Sequence, residues 1–268
     1  TPMKLDLSHL YTCASTAASY AAELLAKEKT NDEKHQKKVL LIGEEGLQNE
    51  FRDAGVNFIT VNELSKTVSS HKNPSIDSLI DYTIDPDIKV VVSGLQTSFC
   101  WLHGALACLA IRENDAEYIA TNRDATFPCG KQRELPGAGS VVNCIEHSCG
   151  KRAQTMGKPH RFMIEALQRD HNIDLSRTLM VGDRIDTDMQ FARNWGMDSL
   201  LVFTGVTKKY DAEHHWNIIT PDAKDLADSR VRCQHKQEQY EGIISSPEHT
   251  SEQSSRGLVF KAADEHPA

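Results

Sequence analysis

The segment Leu179-Met180-Val181-Gly182-Asp183-Arg184-Ile185-Asp186-Thr187-Asp188 runs from an apolar strand straight into a cluster of carboxylates. A strand ending in Gly-Asp sets Asp183 at the carboxyl edge of a sheet, where open α/β folds place their ligands. The glycine lets backbone come close there. Thr187 followed three residues later by Gln190 fits a capping box, which predicts a helix opening at this point with Asp188 in its first turn, near the positive end of the dipole. Two carboxylates then face one pocket. Such oxygen ligands suit Mg²⁺, which keeps several waters and is usually shared with a substrate phosphate. Each also has a plainer reading, Asp183 as a turn former and Asp188 as a helix-terminal charge favourable by itself.

The elements that must hold these residues follow an alternation of strand-like apolar runs and helix-like stripes, the pattern of βα units. Val39-Leu40-Leu41-Ile42 is a short apolar run closed by Gly43. Residues 44–54 then carry Leu47 and Phe51 at helical spacing, and Gly55 stops them. Val90-Val91-Val92 predicts the next strand, residues 98–111 a buried helix, Tyr118-Ile119-Ala120 another strand, and residues 140–147 a further helix after the Gly-rich turn. From Lys208 onward the chain is rich in Glu, Gln, His, Lys and Ser, with apolar residues too sparse for a regular face, which predicts a largely flexible tail. Ile218-Ile219 and Leu226 are the candidates there for a last strand and helix.

Composition sets limits. The chain has 268 residues, 39% hydrophobic and 25% charged, enough for a packed core in one large or two modest domains. No apolar run approaches the ~18 residues of a membrane span. The formal charge of −8 argues against nucleic acid, which is bound through clustered Lys and Arg. Seven cysteines without regular spacing suit reduced thiols in a cytoplasmic protein better than a disulfide framework.

The acidic segment, together with Gly157-Lys158-Pro159, resembles the haloacid dehalogenase (HAD) superfamily of phosphatases. Within it the chain is similar to the 4-nitrophenylphosphatase and phosphoglycolate phosphatase group, whose GDR-x-x-TD loop is followed by a strand ending in Thr-Gly-Val-Thr, here Thr204-Gly205-Val206-Thr207. Residues 120–128 (Ala-Thr-Asn-Arg-Asp-Ala-Thr-Phe-Pro) and 136–140 (Pro-Gly-Ala-Gly-Ser) resemble two segments of that group's cap domain, in the group's order. The resemblance spans roughly residues 10–207. It implies an α/β protein: part of a Rossmann-like HAD core, a parallel sheet with helices on both faces, plus an inserted α/β cap of the C2 type. The expected organisation is a core helix in 1–36, the cap in 37–152, the second half of the core in 153–207 and the divergent tail in 208–268.

The resemblance also implies roles. Lys158 and Asp183 are the expected catalytic residues, Asp183 and Asp188 the Mg²⁺ ligands, and Asn122, Asp124 and Lys158 the substrate-binding residues. Phe127 would shape the pocket wall, and Thr126-Phe127-Pro128 leans toward phosphoglycolate. The implied substrate is a small phosphorylated metabolite, and the implied partner a second copy joined through the cap. Lys158 would neutralise phosphate oxygens as a point charge, against the alternative of a solvated lysine ahead of a helix. Asn122 and Asp124 are equally ordinary turn formers.

Departures matter as much. The group attacks phosphorus with an aspartate after an apolar strand, followed by a second aspartate two residues on, and that pattern is not found here. Asp85-Pro86-Asp87 precedes its apolar run instead of ending one. The expectation is a chain lacking its front end and inactive as it stands, either half of a phosphatase or a silent form that binds full-length subunits through its cap. Gln96 and His103 stand where an Asp and a Lys are expected in the cap. Gly137-Ala138-Gly139 lacks the third glycine of a dinucleotide fingerprint, and Cys144, His147 and Cys149 fit no common zinc spacing. His214-His215 reads as an exposed run.

Overall fold

Thr12 Oγ1 accepts the Ser15 amide at 2.9 Å and Ser15 Oγ accepts the Thr12 amide at 3.1 Å. This reciprocal cap opens helix α1 (Cys13–Lys27). The computed structural model describes residues 9–27, 36–68, 76–131, 133–203, 205–207 and 258–260. Strand β1 (Lys38–Ile42) buries its last four residues, as an apolar run covered on both faces must. Helix α2 (Glu45–Asp53) buries Leu47 and Phe51. It ends at Gly55, φ +65°, where Val56 N–H reaches Phe51 O and Gly55 N–H reaches Arg52 O, both at 3.0 Å, a Schellman closure.

Strand β2 (Phe58–Thr60), α3 (Val61–Val68), the short α4 (Asp77–Ile80), β3 (Ile88–Ser93), α5 (Trp101–Glu113) and β4 (Glu117–Ala120) follow. A small antiparallel pair, β5 (Thr126–Pro128) and β6 (Glu134–Pro136), precedes α6 (Ala138–Cys149), β7 (Gln154–Thr155) and α7 (Arg161–His171). Five strands form one parallel sheet in the order β2-β1-β3-β4-β7. Alternation along each strand feeds two cores. Leu40, Ile42, Val91, Tyr118 and Ala120 face α3, α5 and α6, while Val39, Leu41, Val90, Val92 and Ile119 face α1 and α2.

The chain divides into two compact units, Thr1–Ala166 and Leu167–Ala268. This differs from the expected boundaries. Ala17, Ala18 and Ala21 pack α1 onto the sheet beside Val39 and Val92, so α1 is a layer of the first α/β unit. Gln154 and Thr155 pair with Ile119 and Ala120, Met156 is fully buried with α1 and α2, and Phe162 stacks on Tyr20 at 4.7 Å. The first unit therefore runs past Arg152.

The second unit holds β8 (Leu179–Gly182), a π-helical turn over Ile185–Met189, α8 (Gln190–Trp195), β9 (Asp198–Val202) and β10 (Leu258–Phe260), the strands parallel in the order β10-β9-β8. Helix α8 stops at Gly196, φ +69°, with Met197 N–H on Ala192 O at 2.9 Å. Strand β10 lies within the segment expected to be largely flexible, and its three residues pair with Leu200, Leu201 and Val202. Ile218, Ile219, Leu226 and the His214-His215 pair lie outside the described residues. No helix among the described residues is long and apolar enough to cross a membrane.

Candidate active site: two loop clusters and an acidic turn

Because its strands are parallel, the first unit gathers the loops after β1, β3, β4 and β7 at one edge, the usual place for ligands in such sheets. Asp85 and Asp87 lie at the other edge. They precede β3, where Asp85 Oδ2 accepts Lys38 Nζ at 2.9 Å and Asp85 Oδ1 accepts the Asp87 amide at 2.9 Å. At the carboxyl edge the structure brings Asn122, Asp124 and the Gly157-Lys158 turn together. Gly157 N–H donates to Thr121 O at 2.7 Å, and a Cβ on Gly157 would sit 2.9 Å from that oxygen and 3.2 Å from Asn122 Cβ. Asn122 Oδ1 accepts the Asp124 amide at 3.1 Å, closing an Asx turn.

That turn is clamped. Arg123 donates from Nε to Thr155 Oγ1 at 2.8 Å and from both terminal nitrogens to Glu146, whose side chain is 9% exposed and also accepts the Ala153 amide. Burial alone would raise the Glu146 carboxyl, but the Arg123 hydrogen bonds and the Ala153 N–H outweigh it and hold the group below the usual carboxylate range. The Glu146 hydrogen bond holds Arg123 above its ordinary value. On the other side, Gly137 N–H donates to Ala125 O at 2.8 Å and Gly139 N–H to Asp124 O at 3.0 Å. A Cβ on Gly137 would lie 2.3 Å from Asp124 O, and one on Gly139 2.6 Å from Arg123 O. The Gly137-Ala138-Gly139 spacing thus answers a close backbone approach.

Gln96 and His103 are both buried. Gln96 Nε2 donates to Ser98 Oγ at 2.7 Å, and His103 packs edge-on against Phe99. His103 Nδ1 has no hydrogen-bond partner among the described residues, and burial lowers its pKa. Burial also lowers the pKa of His160, two residues after Lys158, against a contact of 3.3 Å to Gly157 O that raises it.

In the second unit, β8 delivers Asp183 into a turn closed from two sides. Val206 N–H donates to Asp183 Oδ2 at 2.7 Å and Thr207 N–H to Asp183 O at 3.0 Å. A Cβ on Gly205 would fall 1.8 Å from Asp183 Oδ2, so only glycine fits. Asp188, 4% exposed, folds back over Gly182, and its Oδ2 accepts the amides of Asp183 at 3.0 Å and Arg184 at 3.1 Å. The expected capping box is absent: Gln190 Nε2 donates forward to Asn194 Oδ1 at 2.6 Å, and the turn is a π turn with no side-chain cap. Such turns recur at functional sites. Asp186 is exposed and paired with Arg184.

Residues 155–229 match the HAD-hydrolase-like family model. Mouse chronophin is 30% identical over 79% of this chain and 64% of its own length. A 4-nitrophenylphosphatase of Schizosaccharomyces pombe is 30% identical over 81% of this chain and 69% of its own, and phosphoglycolate phosphatase 2 of Arabidopsis thaliana is 34% identical over 77% and 66%. The chain belongs to the HAD-like phosphatases. A thermostable 4-nitrophenylphosphatase from Geobacillus stearothermophilus superposes with a TM-score of 0.58 at 28% identity, covering 77% of this chain and 69% of that one. The chain spans just under two thirds of the length of the chronophin it matches.

The HAD-like assignment brings a divalent cation into question, and the donors here fit one in part. Asp183 Oδ1 has no hydrogen-bond partner among the described residues, whereas Asp188 Oδ2 is engaged by two amides. Among the described residues no three His, Cys, Asp or Glu side chains converge as a metal site. One open carboxylate oxygen suits a Mg²⁺ that keeps most of its waters. Sequence reasoning missed the Arg123–Glu146 clamp, because its partners are 23 residues apart. It also left Gly137 and Gly139 without a role, although their order after Thr121-Asn122-Arg123-Asp124 was a usable signal.

Proposed function

We propose that this chain carries the acidic turn and the cap of a phosphatase acting on small phosphate monoesters of the phosphoglycolate or 4-nitrophenyl phosphate class. The observation that carries the reading is the Asp183 turn, whose carboxylate is fixed by Val206 N–H and roofed by Gly205, while its other oxygen has no hydrogen-bond partner among the described residues. A Mg²⁺ held by Asp183, with Asp188 bracing the turn, would supply charge neutralisation for the phosphate. Lys158 neutralises the ester's oxygens as a point charge. Asn122 and Asp124 hold the ester's organic part, oriented by the Arg123 clamp. These assignments rest on the family's motifs at matching positions together with the local geometry of each loop.

An aspartyl-phosphate route needs a carboxylate nucleophile, and of the two Asp-x-Asp pairs in residues 1–268, Asp85/Asp87 precedes its strand and Asp186/Asp188 belongs to the acidic turn, so neither directly ends an apolar strand. We therefore propose that residues 1–268 alone do not turn the ester over, and that hydrolysis runs through an aspartyl-phosphate in a polypeptide that also carries an Asp-x-Asp pair ending such a strand. Loss of a covalent nucleophile costs on the order of 10⁶ in rate. The test is Mg²⁺-dependent phosphate release from 4-nitrophenyl phosphate and phosphoglycolate by this chain and by such a longer polypeptide, each with its Asp183→Asn variant. Turnover by the longer form alone, abolished by Asp183→Asn, supports the reading. Turnover by the 268-residue chain at an ordinary rate would refute the nucleophile assignment.

A second reading is favoured by one observation. The two-stranded β5–β6 sheet leaves Leu135 exposed, as a cap that joins another copy would. In that reading the chain is a silent subunit pairing through its cap with catalytic ones, in the cytoplasm. Light scattering of the chain alone and mixed with a full-length relative tests it, and strictly monomeric behaviour in both would exclude it.

A further inference from the structure

Helices α5 and α6 pack against each other, and each brings a thiol to the seam. Cys108 on α5 is partly buried, with Sγ 3.9 Å from Ile145 O of α6. Cys149, the last residue of α6, is buried in the same apolar cluster that Cys108 packs against, its Sγ 4.0 Å from Glu146 O, the next carbonyl along. One turn after Cys108, Arg112 donates through Nε to Cys149 O at 3.3 Å and through Nη2 to Ser148 O. The end of α6 is thereby held against α5 beside both sulfurs. We propose that Cys108 and Cys149 form an oxidation site, in which hydrogen peroxide converts the two thiols to a disulfide joining α5 to α6.

The two sulfurs have different surroundings. Cys149 Sγ accepts the Lys151 amide at 3.4 Å and lies 3.5 Å from Lys151 O. Burial, and next the neighbouring Cys149 thiol, push the Cys108 thiol up to about 11, so it keeps its proton at neutral pH. Cys149 is accordingly the attacking sulfur. It takes one oxygen of the peroxide as the O–O bond breaks, giving a sulfenic acid and, after protonation of the hydroxide, one water. The Cys108 sulfur then displaces the hydroxyl from Cys149, forming the S–S bond as the S–O bond breaks, and its proton leaves with that hydroxyl as the second water. Two electrons pass from the sulfurs to the peroxide. The bond closes the segment between residues 108 and 149, which contains Asn122, Asp124 and the Arg123 clamp. Cys144, exposed on α6 and also near Cys108, is the competing partner.

The experiment uses the reduced wild-type chain, treated with hydrogen peroxide, alkylated, digested and sequenced by tandem mass spectrometry. The expected result is a joint loss of alkylation at Cys108 and Cys149, with a peptide pair linked through those two sulfurs that disappears on reduction. In Cys108→Ser, checked for folding by circular dichroism, the Cys149 sulfenic acid persists and is trapped by dimedone. Separate alkylation of Cys108 and Cys149 in oxidised, folded protein would overturn the proposal. So would a link from Cys108 to Cys144 in place of Cys149.

Discussion

Replacing Asp188 with alanine tests the acidic turn most finely, because its carboxylate is 4% exposed and its Oδ2 accepts two backbone amides, from Asp183 at 3.0 Å and Arg184 at 3.1 Å. Alanine leaves both amides without that acceptor. Hydrogen bonds to a charged group are worth about 1.5–3 kcal/mol each, so loss of the two in Asp188→Ala should cost about 3–6 kcal/mol of local stability. Asp186, two residues earlier, is the internal control. Its pair with Arg184 at 3.1 Å has a side chain 65% exposed, and exposed pairs contribute about 0–1 kcal/mol. Native-state hydrogen exchange is the suitable assay, since it reads the Asp183 and Arg184 amides individually. Asp188→Ala should accelerate exchange at those two amides by about 10²-fold or more, and Asp186→Ala by less than about 10-fold. Equal, small effects of the two substitutions would refute the view that Asp188 braces the turn.

Glycine positions give a paired prediction. Gly139→Ala places a Cβ 2.6 Å from Arg123 O and should destabilise by about 1–3 kcal/mol through overpacking, whereas Gly46→Ala, in α2 with nothing within 4 Å, should stabilise by about 0.5–1 kcal/mol; urea midpoints with unchanged slope measure both. Burial lowers the His103 pKa, so the unfolded chain takes up that proton more readily than the folded one. Stability is then whole above the ordinary histidine range and falls as pH drops through it. His103→Met should flatten that decline in thermal melts taken from neutral to mildly acidic pH, leaving the contribution of His160, which has the same sign.

Strands β1 and β3 and helix α2 were legible because their signals are local. Val39 to Ile42 and Val90 to Val92 are continuous apolar runs, and Leu47 with Phe51 marks one helical face. What was not legible is long-range. Strand β7 is two polar-edged residues, Gln154 and Thr155, identified only by pairing with β4. The layer to which α1 belongs depends on alanines small enough to approach β1 and β3, and small residues fit many surfaces equally well. Strand β10 takes its identity from β9, far away in sequence. Within the site, Asp183 was singled out from Gly-Asp after a strand, whereas the bracing of the turn by Asp188 Oδ2, which accepts two backbone amides, was not foreseen. The amides of Asp183 and Arg184 share that oxygen, and no residue spacing records the arrangement.

The central claim is that Asp183 is the cation ligand of this turn. Mn²⁺ in place of Mg²⁺, titrated into the chain and followed by electron paramagnetic resonance, tests it directly. The account predicts one weak site that disappears in Asp183→Asn and survives in Asp186→Asn. Binding unchanged by Asp183→Asn would contradict it.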